Sequence, residues 1–559
     1  MFSSKKNVLE TVALLKAHGI TDIVLSPGSR NAPLLLSFAA EPFFTCHTVV
    51  DERSAGFYAL GLIQGLQRPV AVCCTSGTAL VNLGPAVAEA HYQELPLIVI
   101  SADRSAAWIE QMDGQTLPQP GLFGSMVRAS VQLPEIQSSE DHWHCNRLIN
   151  EALNACTRRG CGPVHLNIPI SEPLFEATVE VLPEVRTFTA HASSTLSDVS
   201  TYAAAFRNAQ RPMIVVGQRL PKASPLNAIL ERFTHTHGTV VLAEHLSNAQ
   251  TPCVVSGFDT ILATPPDATL APDLLLTLGG HLVSKRIRHF LRAHRPAQHW
   301  HLSPSDGSPD LYQSLTQVVQ ADPVVFLEQL LKALETAKTP VDPSYRERWN
   351  HLSHRWKVRL SETPLWKALP PSDLSLTGAL LNAMPGGAVL CVGNSSSVRN
   401  IQCFELPKGV RVYCNRGTNG IEGTLSTACG LAATTSDPVW VLLGDLSFFY
   451  DLNALTLPLP SHLRIVVSNN GGGGIFHRLP GMPRSEDFHR HVTAAHPLEA
   501  GPWAEAAGIG YRKAEVTDLE ATLGEWMQEP SVSARLLEVI TDPEQGVLAT
   551  QTYTSLFEF

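Results

Sequence analysis

The sequence is poor in the short motifs that usually announce a function. It has no Cys-x-x-Cys pair, although it carries eleven cysteines. An odd, scattered set of thiols argues against a disulfide framework, so reduced and mostly buried cysteines are expected. There is no Gly-Lys dipeptide, which removes the P-loop, and no complete Gly-x-Gly-x-x-Gly, which removes the dinucleotide-binding fingerprint. Charged residues make up only 16% of the chain against 44% hydrophobic, a composition that fits a globular protein with large buried cores. The net charge of −10 is spread along the chain with no basic block, so nucleic acid is not expected as a partner. No apolar run is long enough to span a bilayer, and the N-terminus, MFSSKKNVLE, has no apolar signal-peptide core. A cytoplasmic protein without a membrane partner is therefore expected. The pairs His142-x-His144, His235-x-His237 and His299-x-His301 lack a carboxylate or cysteine at ligand spacing and are not expected to hold a metal.

What the chain does have is a repeated strand, turn, helix pattern. At roughly 100–200 residues per domain, its 559 residues suggest about three to five domains. In the first third, apolar runs at Asp22–Ser26, Pro69–Cys74 and Leu97–Ser101 each end in a polar turn. Buried-type runs follow at Met213–Gly217, Thr239–Leu242 and Asp273–Gly279, and again at Ala388–Val392, Val439–Leu443 and Leu463–Val467. Polar, aperiodic stretches near 185–200 and at Thr336–Pro343 read as linkers. Short continuous apolar strands alternating with helices predict parallel sheets covered on both faces. The expected fold class is α/β, with three doubly wound parallel-sheet domains at 1–184, 200–335 and 345–559. In open parallel sheets ligands sit at the carboxyl ends of strands, where the polar turns lie.

Two of those turns carry chemistry. Gly444-Asp445-Leu446-Ser447 ends one strand, and Ser468-Asn469-Asn470 followed by Gly471–Gly474 ends another about one strand–helix–strand unit later. An Asp carboxylate, an Asn carbonyl and a free main-chain carbonyl are hard oxygen ligands of the kind Mg²⁺ prefers, with phosphate oxygens and water completing the shell. The glycine run lets a backbone carbonyl turn inward and leaves amides free to face a diphosphate. Asp445, Asn470 and the carbonyl of Gly472 are the candidate metal ligands. Either half alone is satisfied by an ordinary turn, with Asp445 as an N-cap. The two halves together, each after a buried strand, favour the metal.

This pair of motifs resembles the cofactor signature of thiamine diphosphate-dependent enzymes. The resemblance covers nearly the whole chain and is greatest to the menaquinone-pathway branch of that family. It is carried by Ser26–Pro33 (SPGSRNAP), Asp51–Phe57, Thr75–Ala79, Ser101–Arg104, Val392–Ser395, Asn415–Gly423 and Gly444–Ser447. Most members of the wider family have Gly after the motif Asp; Leu446 departs from that pattern and agrees with the branch. The four glycines depart slightly from the branch, which often has a third Asn and a Gln in this loop.

The resemblance implies three domains in the order pyrimidine-binding, central and diphosphate-binding, with thiamine diphosphate and Mg²⁺ or Mn²⁺ as cofactors. It implies Glu52 as the carboxylate on the aminopyrimidine ring. It implies Asn394, Ser395, Ile421, Asp445, Leu446, Ser447, Asn470 and Ile475 as cofactor contacts, with Ile421 as the apolar wedge behind the cofactor. The activity implied is decarboxylation of 2-oxoglutarate and conjugate addition of the remaining unit to isochorismate, in a homodimer or homotetramer where the first domain of one chain faces the last of another. Both substrates are polyanions, and guanidinium groups grip carboxylates in a bidentate manner. Arg30, Arg104, Arg399, Arg416, Lys285 and Arg286 match basic positions of the branch, and Ser29 and Gln115 match polar positions beside them. Of these, Ser29, Arg30 and Gln115 join Glu52 as candidate catalytic residues. The nearest alternative is another thiamine diphosphate carboligase or decarboxylase, such as an acetolactate synthase, which acts on pyruvate and would not require so many basic turn residues.

Overall fold

The computed structural model describes all residues except 191–197, 222–224, 264–266, 336–341, 363, 529–531 and 558–559. Parts of both expected linkers lie outside the described residues. Three six-stranded sheets are present, every strand pair in them parallel. A short antiparallel ribbon joins β1 (Phe2–Ser3) to β8 (Ala177–Val179).

The first sheet is built from β2 (Asp22–Leu25), β3 (Thr45–Thr48), β4 (Val70–Cys74), β5 (Leu97–Asp103), β6 (Ala129–Gln132) and β7 (Val164–Pro169). Its spatial order is β3-β2-β4-β5-β7-β6. The second holds β9 (Pro212–Val216), β10 (Val240–Ala243), β11 (Val254–Val255), β12 (Leu274–Leu278), β13 (Gln298–Ser303) and β14 (Gln317–Gln320), in the order β11-β10-β9-β12-β13-β14. The third holds β15 (Val389–Val392), β16 (Arg411–Tyr413), β17 (Val439–Gly444), β18 (Leu463–Asn469), β19 (Gly510–Glu515) and β20 (Arg535–Ile540), in the order β16-β15-β17-β18-β20-β19. Three central strands of each sheet are continuous apolar runs, because helices cover both their faces and both must be apolar. Ile98, Val99 and Ile100, for example, are all buried.

In each sheet the order reverses beside the first strand of the pattern, which opens a crevice between β2 and β4, between β9 and β12, and between β15 and β17. The middle crevice is closed by its own backbone. Gly217 N donates to Leu278 O, Gln218 N to His281 O and Gly280 N to Gln218 O, at 2.8–3.1 Å. A Cβ on Gly217 would stand 2.0 Å from Gly280 O. His299 and His301 lie in β13, and both ring nitrogens that face β12 bond the Thr277 hydroxyl, at 2.9 and 3.0 Å. The eleven cysteines are free thiols. Burial pushes Cys73 and Cys391 up to about 12. No helix among the described residues is long and apolar enough to cross a membrane.

The chain divides into two compact units. One comprises Met1–Ala192, Asn415–Ser436 and Tyr450–Pro460; the other comprises Ser193–Cys414, Asp437–Phe449 and Ser461–Phe559. In the first, helix Glu52–Leu66 crosses helix Thr424–Ala432 with backbones in near contact. A Cβ on Gly61 would lie 2.0 Å from Thr427 O, and one on Gly430 would lie 2.1 Å from Tyr58 O. Below the crossing, buried Asp451 accepts from Ser426 N (2.8 Å) and Ser426 Oγ (2.7 Å). Burial dominates there and raises its carboxyl to about 6.

Two outcomes follow from this packing. Gly430→Ala forces the helices apart, and its urea midpoint should fall by an amount corresponding to about 1–3 kcal/mol. The raised Asp451 pKa means that the folded chain holds this proton more tightly than the unfolded one. Its contribution to stability is present at pH 4, declines as pH rises through about 6, and is lost above. Asp451→Asn keeps an acceptor for Ser426 N but does not titrate. The drop in urea midpoint between pH 4.5 and 7 should therefore be smaller in the variant than in the parent.

Candidate active site

In the third sheet, Asp445 is the first residue after the interior of β17 and starts a short helix, while Asn470 and the glycines follow β18 directly. Asp445 is buried. Its carboxylate does not act as the simple N-cap of its own helix. Oδ1 accepts from Leu446 N (2.6 Å), but Oδ2 reaches across to the neighbouring strand end and accepts from Asn470 N (3.0 Å) and Gly472 N (2.9 Å). A charged acceptor between two strand ends thus fixes the loop, and such charge-assisted bonds are roughly twice as strong as neutral ones.

The two asparagines divide the work. Asn469 is a buried brace: its Nδ2 donates to Glu538 Oε1 (2.7 Å) and Leu498 O (2.9 Å), and its Oδ1 accepts from Gly471 N (3.0 Å). Asn470 Oδ1 is buried and has no hydrogen-bond partner among the described residues. An unmet buried acceptor costs free energy unless something supplies positive charge or a donor. Gly472 O accepts from Gly474 N (3.0 Å) and keeps a second lone pair. Asn470 Oδ1, the Asp445 carboxylate and the Gly472 carbonyl therefore form a donor set that fits a hard divalent cation. No group of three His, Cys, Asp or Glu suited to a metal occurs among the described residues.

The glycines are required by close approach and by unusual backbone. Gly471 and Gly472 have φ of 72° and 149°. A Cβ on Gly472 would stand 2.7 Å from Thr493 O, and one on Gly474 2.5 Å from Asn470 Nδ2. Asn394 and Ser395 follow β15 on the other side of the same crevice. Asn394 is buried, and Ser395 has a φ of 71°. Arg399 Nη1 donates to Ser395 O one helical turn back. Leu446 is half-buried, Ser447 is buried and Ile475 is half-buried in the turn after the glycines. Lys285 and Arg286 are exposed at the start of helix Lys285–Ala293, and Arg286 pairs with Asp259 at 2.7 Å.

In the other unit the β2–β4 crevice carries its own set. Ser29 is exposed and Arg30 buried after β2. Arg30 donates from Nη1 to Ile170 O (2.9 Å), and its Nη2 lies 3.3 Å from Glu172, a mostly exposed carboxylate. Gly28 lies so close to β4 that a Cβ would be 2.4 Å from Thr75 Cβ. The hydroxyls of Ser26, Thr75 and Ser76 are buried there without hydrogen-bond partners among the described residues. Glu52 is half-buried in the first turn of its helix. Asp51 caps that helix by accepting from Ser54 N (3.0 Å), and Asn82 Nδ2 approaches Glu52 Oε2 at 3.5 Å. Arg104 pairs with Asp113 (3.1 Å) and donates to Gly114 O (2.9 Å), so it ties down the loop bearing exposed Gln115. Arg416 is buried and Ile421 half-buried in the Asn415–Gly423 segment.

Residues that the sequence reading passed over hold these loops. Glu89, on helix Gly84–Gln93, is 1% exposed and accepts from Gly417 N (2.7 Å), Thr418 N (2.8 Å) and Thr418 Oγ1 (2.9 Å), directly after Arg416. Gln119 is fully buried: its Oε1 accepts from Gly77 N (2.7 Å), and its Nε2 donates to Asn167 Oδ1 (2.6 Å). Burial drives His165, beside this network, down to about 4. A lone carboxylate or amide on a helix or loop carries no local signal, since its partners come from distant segments.

With this geometry in place, the comparisons define the class first. A family profile described as "Thiamine pyrophosphate enzyme, N-terminal TPP binding domain" matches residues 10–122, and one described as "Middle domain of thiamine pyrophosphate" matches 182–370. The solved benzoylformate decarboxylase of Polynucleobacter necessarius superposes with a TM-score of 0.70 over 96% of this chain and 99% of its own, at 18% identity, which speaks to the fold. Curated relatives are closer. The 2-succinyl-5-enolpyruvyl-6-hydroxy-3-cyclohexene-1-carboxylate (SEPHCHC) synthases of Bacteroides thetaiotaomicron and Bacteroides fragilis are 45% and 46% identical, each over 99% of this chain and 99% of their own. That of Desulfotalea psychrophila is 38% identical over 97% of this chain and 99% of its own. The chain belongs to the SEPHCHC synthase family of thiamine diphosphate-dependent enzymes.

Glu89→Gln would turn an amide NH₂ toward N–H donors. Hydrogen exchange of the peptide spanning 415–423 should accelerate by more than roughly tenfold, since a hydrogen bond to a charged group contributes about 1.5–3 kcal/mol. Exchange in β4 and β5 should be unchanged.

Proposed function

We propose that this enzyme decarboxylates 2-oxoglutarate and adds the resulting four-carbon unit to isochorismate, the SEPHCHC synthase reaction of menaquinone biosynthesis. The observation that carries the reading is full-length identity of 45% to such synthases, joined to an Asp445–Asn470 turn pair with an unmet buried acceptor.

Thiamine diphosphate, when bound, supplies an electron-accepting thiazolium that makes loss of CO₂ from a 2-oxo acid feasible. The chain's own groups hold and shape the reaction. Asp445, Asn470 Oδ1 and the Gly472 carbonyl would ligate Mg²⁺ or Mn²⁺, whose remaining positions suit phosphate oxygens and water. Asn394, Ser395, Leu446, Ser447 and Ile475 would line the cofactor's berth. Glu52 would place its carboxylate on the aminopyrimidine ring and set which ring nitrogen carries the proton, and Ile421 would brace the cofactor from behind. Ser29, Arg30, Arg104, Gln115, Lys285, Arg286, Arg399 and Arg416 would bind the carboxylates and hydroxyls of the two acidic substrates.

Buried cations are the ones that select anions. Arg30 and Arg416 are each 6% exposed, unlike Lys285 and Arg286. A guanidinium held out of water gains most from an incoming carboxylate, and planar forks recognise carboxylates in a bidentate manner. We further propose a homodimer or a dimer of dimers and a pyrimidine-binding, central, diphosphate-binding order at 1–184, 200–335 and 345–559. A cytoplasmic location belongs to the same reading. Sedimentation equilibrium of the full chain reads the assembly.

The test is consumption of isochorismate, followed by its absorbance, with purified protein, thiamine diphosphate, Mg²⁺ and 2-oxoglutarate. Omission of any one component should stop it, and pyruvate should not replace 2-oxoglutarate. Arg30→Ala and Arg416→Ala should each lower kcat/KM by roughly a hundredfold, because charge-assisted contacts contribute about 1.5–3 kcal/mol each. Wild-type kinetics in either variant would remove that residue from the site. Glu52→Gln should keep the fold by circular dichroism and lose nearly all turnover; full activity would overturn the role given to this carboxylate.

A further inference from the structure

The segment Thr493–Leu498 runs across the glycine loop and is unaccounted for by cofactor or substrate binding. It is fastened by main-chain bonds: Gly473 N donates to Thr493 O (2.6 Å), and His496 N donates to Gly471 O (3.0 Å). The approach is so tight that a Cβ on Gly471 would stand 3.3 Å from His496 O. The strap is itself folded back, with Ala495 N bonded to His489 O (2.9 Å). Its exit is held by Asn469 Nδ2 on Leu498 O (2.9 Å).

This frame delivers one imidazole to the metal ligand. Leu498 N donates to His496 Nδ1 at 3.1 Å, so Nδ1 is the acceptor and the ring proton resides on Nε2. The ring meets Phe449 edge to face at 5.2 Å and 88°, and Phe449 stands on the short helix that Asp445 begins. The His496 side chain is 11% exposed, and its Nε2 lies 3.5 Å from Asp445 Oδ2. That distance is long for a hydrogen bond, and Nε2 has no hydrogen-bond partner among the described residues. Oδ2 thus faces two amides and an Nε2–H, while Oδ1 faces one amide.

We infer that His496 is a positioning residue for the metal site: its Nε2–H, fixed by Leu498 N and Phe449, holds Asp445 Oδ2 so that the carboxylate presents Oδ1 to the cation. The inference rests on Asp445 as a metal ligand. Donors behind a ligating group orient it, and their removal commonly costs roughly 10–100-fold in metal affinity. The strap makes the donor part of the glycine loop's own fold, so the loop that supplies Asn470 and Gly472 also supplies the group that orients their neighbour.

The experiment is calorimetric titration of Mg²⁺ into the full chain with saturating thiamine diphosphate. His496→Phe keeps the ring against Phe449 but has neither nitrogen. His496→Asn offers a polar atom at the Nδ1 position only, and His496→Gln offers an N–H near the Nε2 position. Phe and Asn should weaken Mg²⁺ binding about tenfold or more, and Gln should recover most of the loss. Wild-type affinity in the Phe variant overturns the inference, as does a Gln variant no better than Phe. Asp445→Asn separates this failure from a failure of the underlying reading. If it loses Mg²⁺ binding while Phe does not, only the role of His496 falls. If it binds as the parent does, Asp445 is not a ligand and both fall.

Discussion

The Asp445 carboxylate is the fastening on which the loops at the carboxyl end of the third sheet depend. It sits at the reversal of strand order between β15 and β17, where parallel sheets open a crevice at the carboxyl ends of their strands. A buried carboxylate is costly unless donors meet it. Here the donors are the backbone amides of Leu446, Asn470 and Gly472. Two of the three belong to the loop after β18, so the charge does two things at once: it is stabilised by the loop, and it decides the loop's path. The path demands positive φ at Gly471 and Gly472 and leaves no room for a Cβ beneath the strap. Asn470 Oδ1 is buried there with no hydrogen-bond partner among the described residues, an acceptor that a cation would satisfy.

A reversal of strand order occurs in all three sheets, with three outcomes. The β2–β4 crevice keeps three buried hydroxyls, on Ser26, Thr75 and Ser76, without partners among the described residues, and has Arg30 after β2. The β15–β17 crevice keeps the Asp445 cluster. The β9–β12 crevice is sealed by hydrogen bonds between the two turns that would otherwise flank a ligand. Its glycines, Gly217, Gly279 and Gly280, serve the closure of backbone on backbone rather than approach to a phosphate. A glycine-rich turn after a parallel strand is therefore ambiguous until the partner turn is known.

That ambiguity marks the boundary of what could be read from residues alone. The nine apolar runs all became central strands, with ends shifted by a residue or two, because two-sided burial leaves a continuous hydrophobic trace. Edge strands left none: β3, Thr-Cys-His-Thr, and β19, Gly-Tyr-Arg-Lys-Ala-Glu, have one face or edge in water and look like loop. Strand β13, Gln-His-Trp-His-Leu-Ser, is hidden for a different reason, since its histidines are buried by bonding to Thr277 rather than by being apolar. At the site, Asp445 and Asn470 were legible because each terminates an unmistakable strand. Glu89, Gln119 and the strap around His496 were not, because their meaning lies in main-chain groups far along the chain, and a backbone N–H has no letter in the sequence.

The basic residues show how burial sorts groups that look alike as letters. Arg104 and Arg286 have carboxylate partners at 3.1 and 2.7 Å within their own surroundings, and Arg104 in particular shapes the loop of Gln115. Arg30 is enclosed: a peptide carbonyl accepts from it, it approaches Glu172, whose side chain is 72% exposed, and it feels the charge of buried Asp103. An exposed carboxylate is screened by water and contributes little to holding a buried cation. The fold therefore holds a buried guanidinium at the β2 turn, with Asp103 as its inner counter-charge. An arriving carboxylate would make a charge-assisted bond to it, stronger than the bond that water makes. In the proposed reaction this favours a dicarboxylic 2-oxo acid over a monocarboxylic one, through a cation whose desolvation was met when the chain folded.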